Sequence, residues 1–205
     1  MFNPTRIAIL AALAGGIATS AGAATIAFSG TRTNTNFLNP PGTGRCAPQN
    51  TVTITPTGPS SSGTSNFGAF VLTASHCIAG PPNAANPTRA LTEGQFQWDF
   101  ASGGSLFGTY TGTATFADGV VTGAEDLVIT GGTGRFTDAT GTIASRGTLG
   151  FGQVDGRPVG FFNGTVSGSV TAAGIPEPSG WAMMIAGFGA IGLASRRPRR
   201  VYAWS

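Results

Sequence analysis

Between residues 24 and 174 no stretch keeps a helical repeat for more than two turns; what recurs is two-residue alternation broken by glycine. Residues i and i+2 of a strand share a face. In residues 109–116 that rule puts Thr109, Thr111, Thr113 and Thr115 on one face and Tyr110, Gly112, Ala114 and Phe116 on the other. Residues 95–100 put Phe96, Trp98 and Phe100 together. Residues 51–55 alternate strictly, and 67–74 form an apolar run suited to a buried strand. Segments 126–130, 140–151 and 160–171 complete the set, with Gly-Gly, Asp-Gly and Asn-Gly pairs between them. Short strands at close spacing predict an all-β sandwich or barrel. Glycines alternating with large residues favour the sharper curvature of a barrel. Residues 30–66 are expected as irregular loop around the one strand at 51–55, and 78–94 as a second irregular loop.

The two ends read differently. Arg6 is the only charge before an apolar run at 7–18, and Ala21-Gly22-Ala23 places small residues at −3 and −1. That pattern is a secretory signal peptide cut between Ala23 and Ala24, handled by the Sec translocon and signal peptidase. At the other end Pro176-Glu177-Pro178 precedes an apolar run at 181–194, followed by Arg196, Arg197, Arg199 and Arg200. Fourteen helical residues span roughly 21 Å, short of the ~30 Å hydrocarbon core. Local thinning and snorkelling arginines close such a gap. The arginines orient the segment with its basic end in the cytoplasm and everything before Pro176 outside. The organisation is therefore a signal peptide (1–23), one β domain (24–174) and a tail (175–205) holding a membrane helix at about 181–195 and a basic cluster at 196–200.

Proline-glutamate-proline, Trp181-Ala182, the short apolar run and the arginines, in that order, resemble the PEP-CTERM sorting signal of Gram-negative bacteria, in its variant with Trp-Ala after the motif. The resemblance implies recognition of Pro176, Glu177, Pro178, Trp181 and Ala182 by an exosortase. It further implies transient residence in the inner membrane, removal of the tail, and delivery to the envelope, cell surface or extracellular matrix, where extracellular polysaccharide is a candidate partner. An ordinary C-terminal membrane anchor is the plainer alternative.

The formal charge of +3 misleads, because five of the eleven arginines and one of the eight acids lie in the terminal segments. The β domain keeps six arginines against seven acids, so no nucleic-acid partner is expected. Its two cysteines, Cys46 and Cys77, read as one disulfide in an exported chain. A metal site using the adjacent His76 lacks further ligands at a usual spacing.

Residues 129–141, ITGGTGRFTDATG, resemble a signature of allene-oxide-cyclase-type and dirigent-type β-barrels. The resemblance implies an eight-stranded antiparallel barrel with an apolar interior, which in those families takes lipid-derived or phenolic molecules. Gly131, Gly132 and Gly134 would permit a tight turn and Phe136 would plug the barrel end. None of those families' catalytic positions is matched, so no activity is carried over.

Other motifs carry less. Residues 71–77, VLTASHC, look like the histidine segment of trypsin-like proteases, but no nucleophile segment follows. Gly131–Gly134 lacks the lysine of a phosphate loop. Glu125 and Asp126 with Asp118 or Asp138 form only a loose cation candidate. Glu93 and Asp99 are a weak carboxylate pair. No catalytic residue, metal or cofactor is assigned, and the balance leans against an enzyme. The expected function is an exported envelope or matrix protein of structural or interaction type. The alternative is a barrel that holds a small apolar ligand, as a binding module or an isomerase-like enzyme. Phe96, Trp98, Phe100, Phe107 and Tyr110 suggest it, and an interior cavity on the order of several hundred Å³ would discriminate it.

Overall fold

A computed structural model describes residues 23–56, 61–173, 185–189 and 191. Nine antiparallel strands occupy the eight positions of a closed barrel. They are β1 (Ala24–Leu38), β2 (Asn50–Ile54), β3 (Ser61–Ser65), β4 (Gly68–Ile78), β5 (Thr88–Phe100), β6 (Ser105–Ala117), β7 (Val120–Gly132), β8 (Thr140–Val154) and β9 (Arg157–Ala172). Each pairs with its neighbour in sequence from β3 onward, and β9 returns to β1 from Ala24↔Ala172 to Phe37↔Val159. Closure removes the unpaired strand edges that would invite aggregation. β2 and β3 share one position. Both lie between β1 and β4, β2 against Cys77 and His76, β3 against Val71 and Phe70. The barrel inferred from alternation and glycine content is the fold observed.

The expected loops are shorter than the sequence suggests. β1 extends through Leu38 and β3 covers Ser61–Ser65, so much of 30–66 is strand; β5 begins at Thr88, inside the expected loop 78–94. The polar run 31–36 concealed β1, because its inward residues Arg32, Asn34 and Asn36 face a polar layer and give no apolar alternation. Residues 1–22 of the expected signal peptide, Pro176, Glu177, Pro178, Trp181, Ala182 and the four tail arginines lie outside the described residues. Residues 185–189 and 191 are helical, and among the described residues no helix is long and apolar enough to cross a membrane.

The interior is stacked in three tiers. The lower tier is solid: Phe28, Phe70, Trp98, Phe100 and Phe136 pack with neighbouring ring centroids 4.7–5.5 Å apart, Leu106 is buried among them, and Trp98 is fully buried. Phe136 rides on a 3₁₀ turn (Gly134–Phe136) and closes this end as its motif suggested. Phe107, one of the aromatics that suggested a ligand, faces outward on β6. The upper tier is a smaller aliphatic cluster of Val52, Ile78, Leu91, Ala114 and Val121. Between them lies a belt of buried polar side chains. Both chain ends of the domain, Ala24 and Ala172, meet at the plugged lower end.

Candidate functional site

The belt is assembled from four strands that are distant in sequence. Arg32 comes from β1, His76 from β4, Tyr110 from β6 and Glu125 from β7, and each sits at an inward-facing position of its strand. Two local features allow this. In β5 the register slips between Leu91 and Gly94, where Glu93 takes φ +52°, so both Leu91 and Phe96 point inward across the bulge. At Gly94 a Cβ would collide with Tyr110, whose ring lies 2.5 Å from that position. Phe162 is likewise laid flat over Gly147 and Gly164, where a Cβ would stand 2.7 Å from its ring.

Arg32 and Glu125 form a buried ion pair, and the Arg32 guanidinium lies 4.6 Å from the Phe162 ring centroid. The aromatic face adds cation–π attraction to the carboxylate's charge. His76 Nδ1 and the Tyr110 hydroxyl share a hydrogen bond of 2.8 Å. Burial, then the positive charges of Arg32 and Arg45, lower the His76 pKa to about 3, so the ring is neutral at ordinary pH. Burial and then the Glu125 carboxylate push the Tyr110 phenol well above its ordinary range. Net charge in the belt is therefore balanced, and neither ring group is tuned to trade a proton near neutrality.

Above the belt the barrel opens into a cavity of about 180 Å³. Leu38, Val52, Ile78, Leu91, Leu149, Val159 and Phe162 form its walls, Pro81 and Pro82 and Phe151 its rim, and His76, Glu125 and Asn36 its polar groups. This falls short of the several hundred Å³ set for the apolar-ligand alternative and of the ~300–1,000 Å³ of typical drug-sized sites, so only a group about the size of a benzene ring fits. The cavity exceeds the roughly 150 Å³ apolar cavity known to hold benzene. The aromatics that suggested a ligand-binding interior are not its walls: Phe96, Trp98 and Phe100 fill the solid tier below.

The cysteine pair stands beside this site. Cys77 faces outward next to His76 and is bonded to Cys46 across a separation of 31 residues. The bond holds the 39–49 segment against the outside of β2, β4 and β5. Arg45 from that segment reaches the Ser75 carbonyl at 3.0 Å and the Glu93 backbone and carboxylate. Its charge is one of those that keep His76 neutral.

The remaining candidates do not assemble. Glu125 points in and Asp126 out, where Asp126 pairs with Arg146 at 2.6 Å. No group of three or more potential metal ligands occurs among the described residues. Glu93 and Asp99 lie six residues apart on one strand, on the order of 20 Å, beyond the ~5–9.5 Å a glycosidase pair requires. His76 is hydrogen-bonded to Tyr110 within the barrel, with no serine nucleophile bonded to it among the described residues. Arg32 escaped the sequence reading, and Glu125 was weighed only as part of a cation candidate, not as the partner of Arg32. Their signal was parity: Glu125 sits on the face of β7 shared by Val121, Leu127 and Ile129, where a lone acid demands a partner.

No family model and no curated protein matches this chain. Among solved structures, the pterocarpan synthase dirigent protein GePTS1 matches with 14% identity and a TM-score of 0.23, over 74% of this chain and 86% of that one.

Proposed function

We propose that this chain is an exported binding module whose barrel mouth takes a small, largely apolar, uncharged group. The observation that carries the reading is the cavity itself: apolar walls over a charge-balanced floor of His76 and Glu125. A charged ligand would lose its hydration without gaining a free counter-ion, because Glu125 is already paired with Arg32. A neutral group with one polar atom fits, since the His76 ring lines the cavity and carries no charge to satisfy. The low pKa of His76 and the raised pKa of Tyr110 favour holding a molecule over acid–base turnover.

Export is carried by the termini. The signal peptide and the tail that resembles an exosortase signal flank a domain whose first and last strands begin at Ala24 and end at Ala172. The reading places the mature protein in the envelope, at the surface or in the extracellular matrix. Extracellular polysaccharide is the partner that this location offers.

Two measurements test the proposal. Methyl NMR of Leu91, Ile78 and Val159 is followed while benzyl alcohol, benzylamine and benzoate are added. The alcohol should shift these methyls at the lowest concentration; no response to any probe would refute the binding module. Intact mass of protein from the native host's envelope should match a chain from Ala24 to near Pro176, two protons lighter for the disulfide. A full-length tail in the membrane fraction would leave only the plain anchor.

A further inference from the structure

We infer that, while its C-terminal segment is in the membrane, the barrel holds its mouth away from that membrane, so that a ligand reaches it from the aqueous side and not from the bilayer. The inference rests on the proposed reading of the tail and of the cavity. Taken alone, the mouth looks suited to dip into lipid: Phe151 and Val120 at this end are 59% and 48% exposed, and Pro81 and Pro82 stand beside Phe151 at the rim. Topology opposes that use. β9 runs from the rim at Val159 to the plugged end at Ala172, and the chain leaves there toward its apolar run.

Distance makes the constraint firm. Val159 to Ala172 is thirteen residue steps of the β1–β9 ladder, about 43 Å along the strand. With strands tilted ~35–45° the barrel is on the order of 30–35 Å tall. From Ala172 to Trp181 the chain has nine steps, ~30–32 Å at full stretch. To lay the mouth on the bilayer, this linker would have to round the plugged end and run the whole barrel height. Fully extended, it has no length left for the turn. The plugged end, with Phe136 buried and both domain termini, is therefore the membrane-facing end while the tail is in place. A bilayer lipid could not pass directly into the cavity; a water-borne molecule, or one carried by a soluble or matrix component, could.

The test uses the full-length chain in phosphatidylethanolamine–phosphatidylglycerol vesicles. The described cysteines are all disulfide-bonded, so one added cysteine carries one fluorophore. Val120→Cys labels the mouth end and Thr137→Cys the plugged end, both at exposed positions. Nitroxide-headgroup lipid is the quencher. Loss of fluorescence from the Thr137→Cys label with none from Val120→Cys supports the inference. Equal or greater loss from Val120→Cys overturns it while leaving the anchor intact. A folded protein that fails to float with the vesicles shows instead that the tail reading is wrong, and the inference falls with it. Inserting a flexible segment after Ala173 provides a further check: the Val120→Cys label should become quenchable only when the tether exceeds the barrel height.

Discussion

The neutral His76 makes acid stability of this barrel calculable. His76 ordinarily titrates at 6.5 and in the barrel at about 3, because burial and two nearby arginines oppose its charge. Below 6.5 the unfolded chain binds a proton that the folded chain refuses, so the unfolded state gains. Stability is complete above 6.5 and falls with pH until about 3, where the folded ring also protonates. Each unit of separation is worth about 1.4 kcal/mol. Between pH 7 and pH 5 the loss is about 2 kcal/mol, a substantial share of the ~5–15 kcal/mol typical of a domain. This is the only histidine in the chain, and carboxylates ordinarily titrate lower, so that window isolates it. Urea unfolding with the disulfide intact, at pH 7, 6 and 5, measures the slope. His76→Gln keeps a polar side chain opposite Tyr110 and should flatten the pH dependence, whatever its absolute stability. Parallel wild-type and His76→Gln slopes would refute the argument. They would mean that the ring is hydrated, or charged, within the folded barrel.

Four further outcomes follow from the same geometry. Glu125→Gln leaves Arg32 buried beside Phe162 without its counter-charge and should cost about 3–5 kcal/mol in urea unfolding, whereas Arg32→Met with Glu125→Leu should cost much less than the sum of the single changes. Replacing Cys46 and Cys77 by serine opens a loop spanning 31 residues and should cost roughly 3–4 kcal/mol, measured as the fall in urea midpoint. Ala114→Leu pushes a larger side chain into the cavity wall and should abolish the benzyl alcohol response in methyl NMR while the protein remains folded. Trp98→Ala empties the solid tier, where Trp98 contacts Phe28, Phe70 and Phe96, and should cost about 3–5 kcal/mol by the same unfolding assay.

The alternating segments were read correctly because burial on one face of a strand imposes a two-residue period. Phe96, Trp98 and Phe100 all face inward, as do Tyr110 and Ala114, with the threonines of β6 outside. The Phe136 plug was visible too, since its glycine-rich turn is local chemistry. What misled was polarity. Arg32, Asn34 and Asn36 alternate as regularly as any apolar run, but a polar inward face imitates a loop. β3 carries only Ser, Gly and Thr, and its Gly63 lies under the Phe70 ring, where a Cβ would collide. Whether and where the barrel is hollow was not legible for a related reason. Aromatic content marked the interior without distinguishing the tier that is filled from the end that is open.

By itself the sequence determined the strand period, the glycine turns and the cysteine pair. Each is written in residues adjacent along the chain or, for the cysteines, in their number. Tertiary structure decided the rest. It decided that β2 and β3 share one barrel position, and that Arg32 meets Glu125 and His76 meets Tyr110. It also decided that the cavity opens opposite the end from which the tail departs. Those facts depend on register and closure. They bring together residues separated by 93 positions in one case and 34 in the other. No local pattern encodes such a meeting, because each residue obeys only the parity of its own strand, and the partner across the barrel is chosen when the ladder closes.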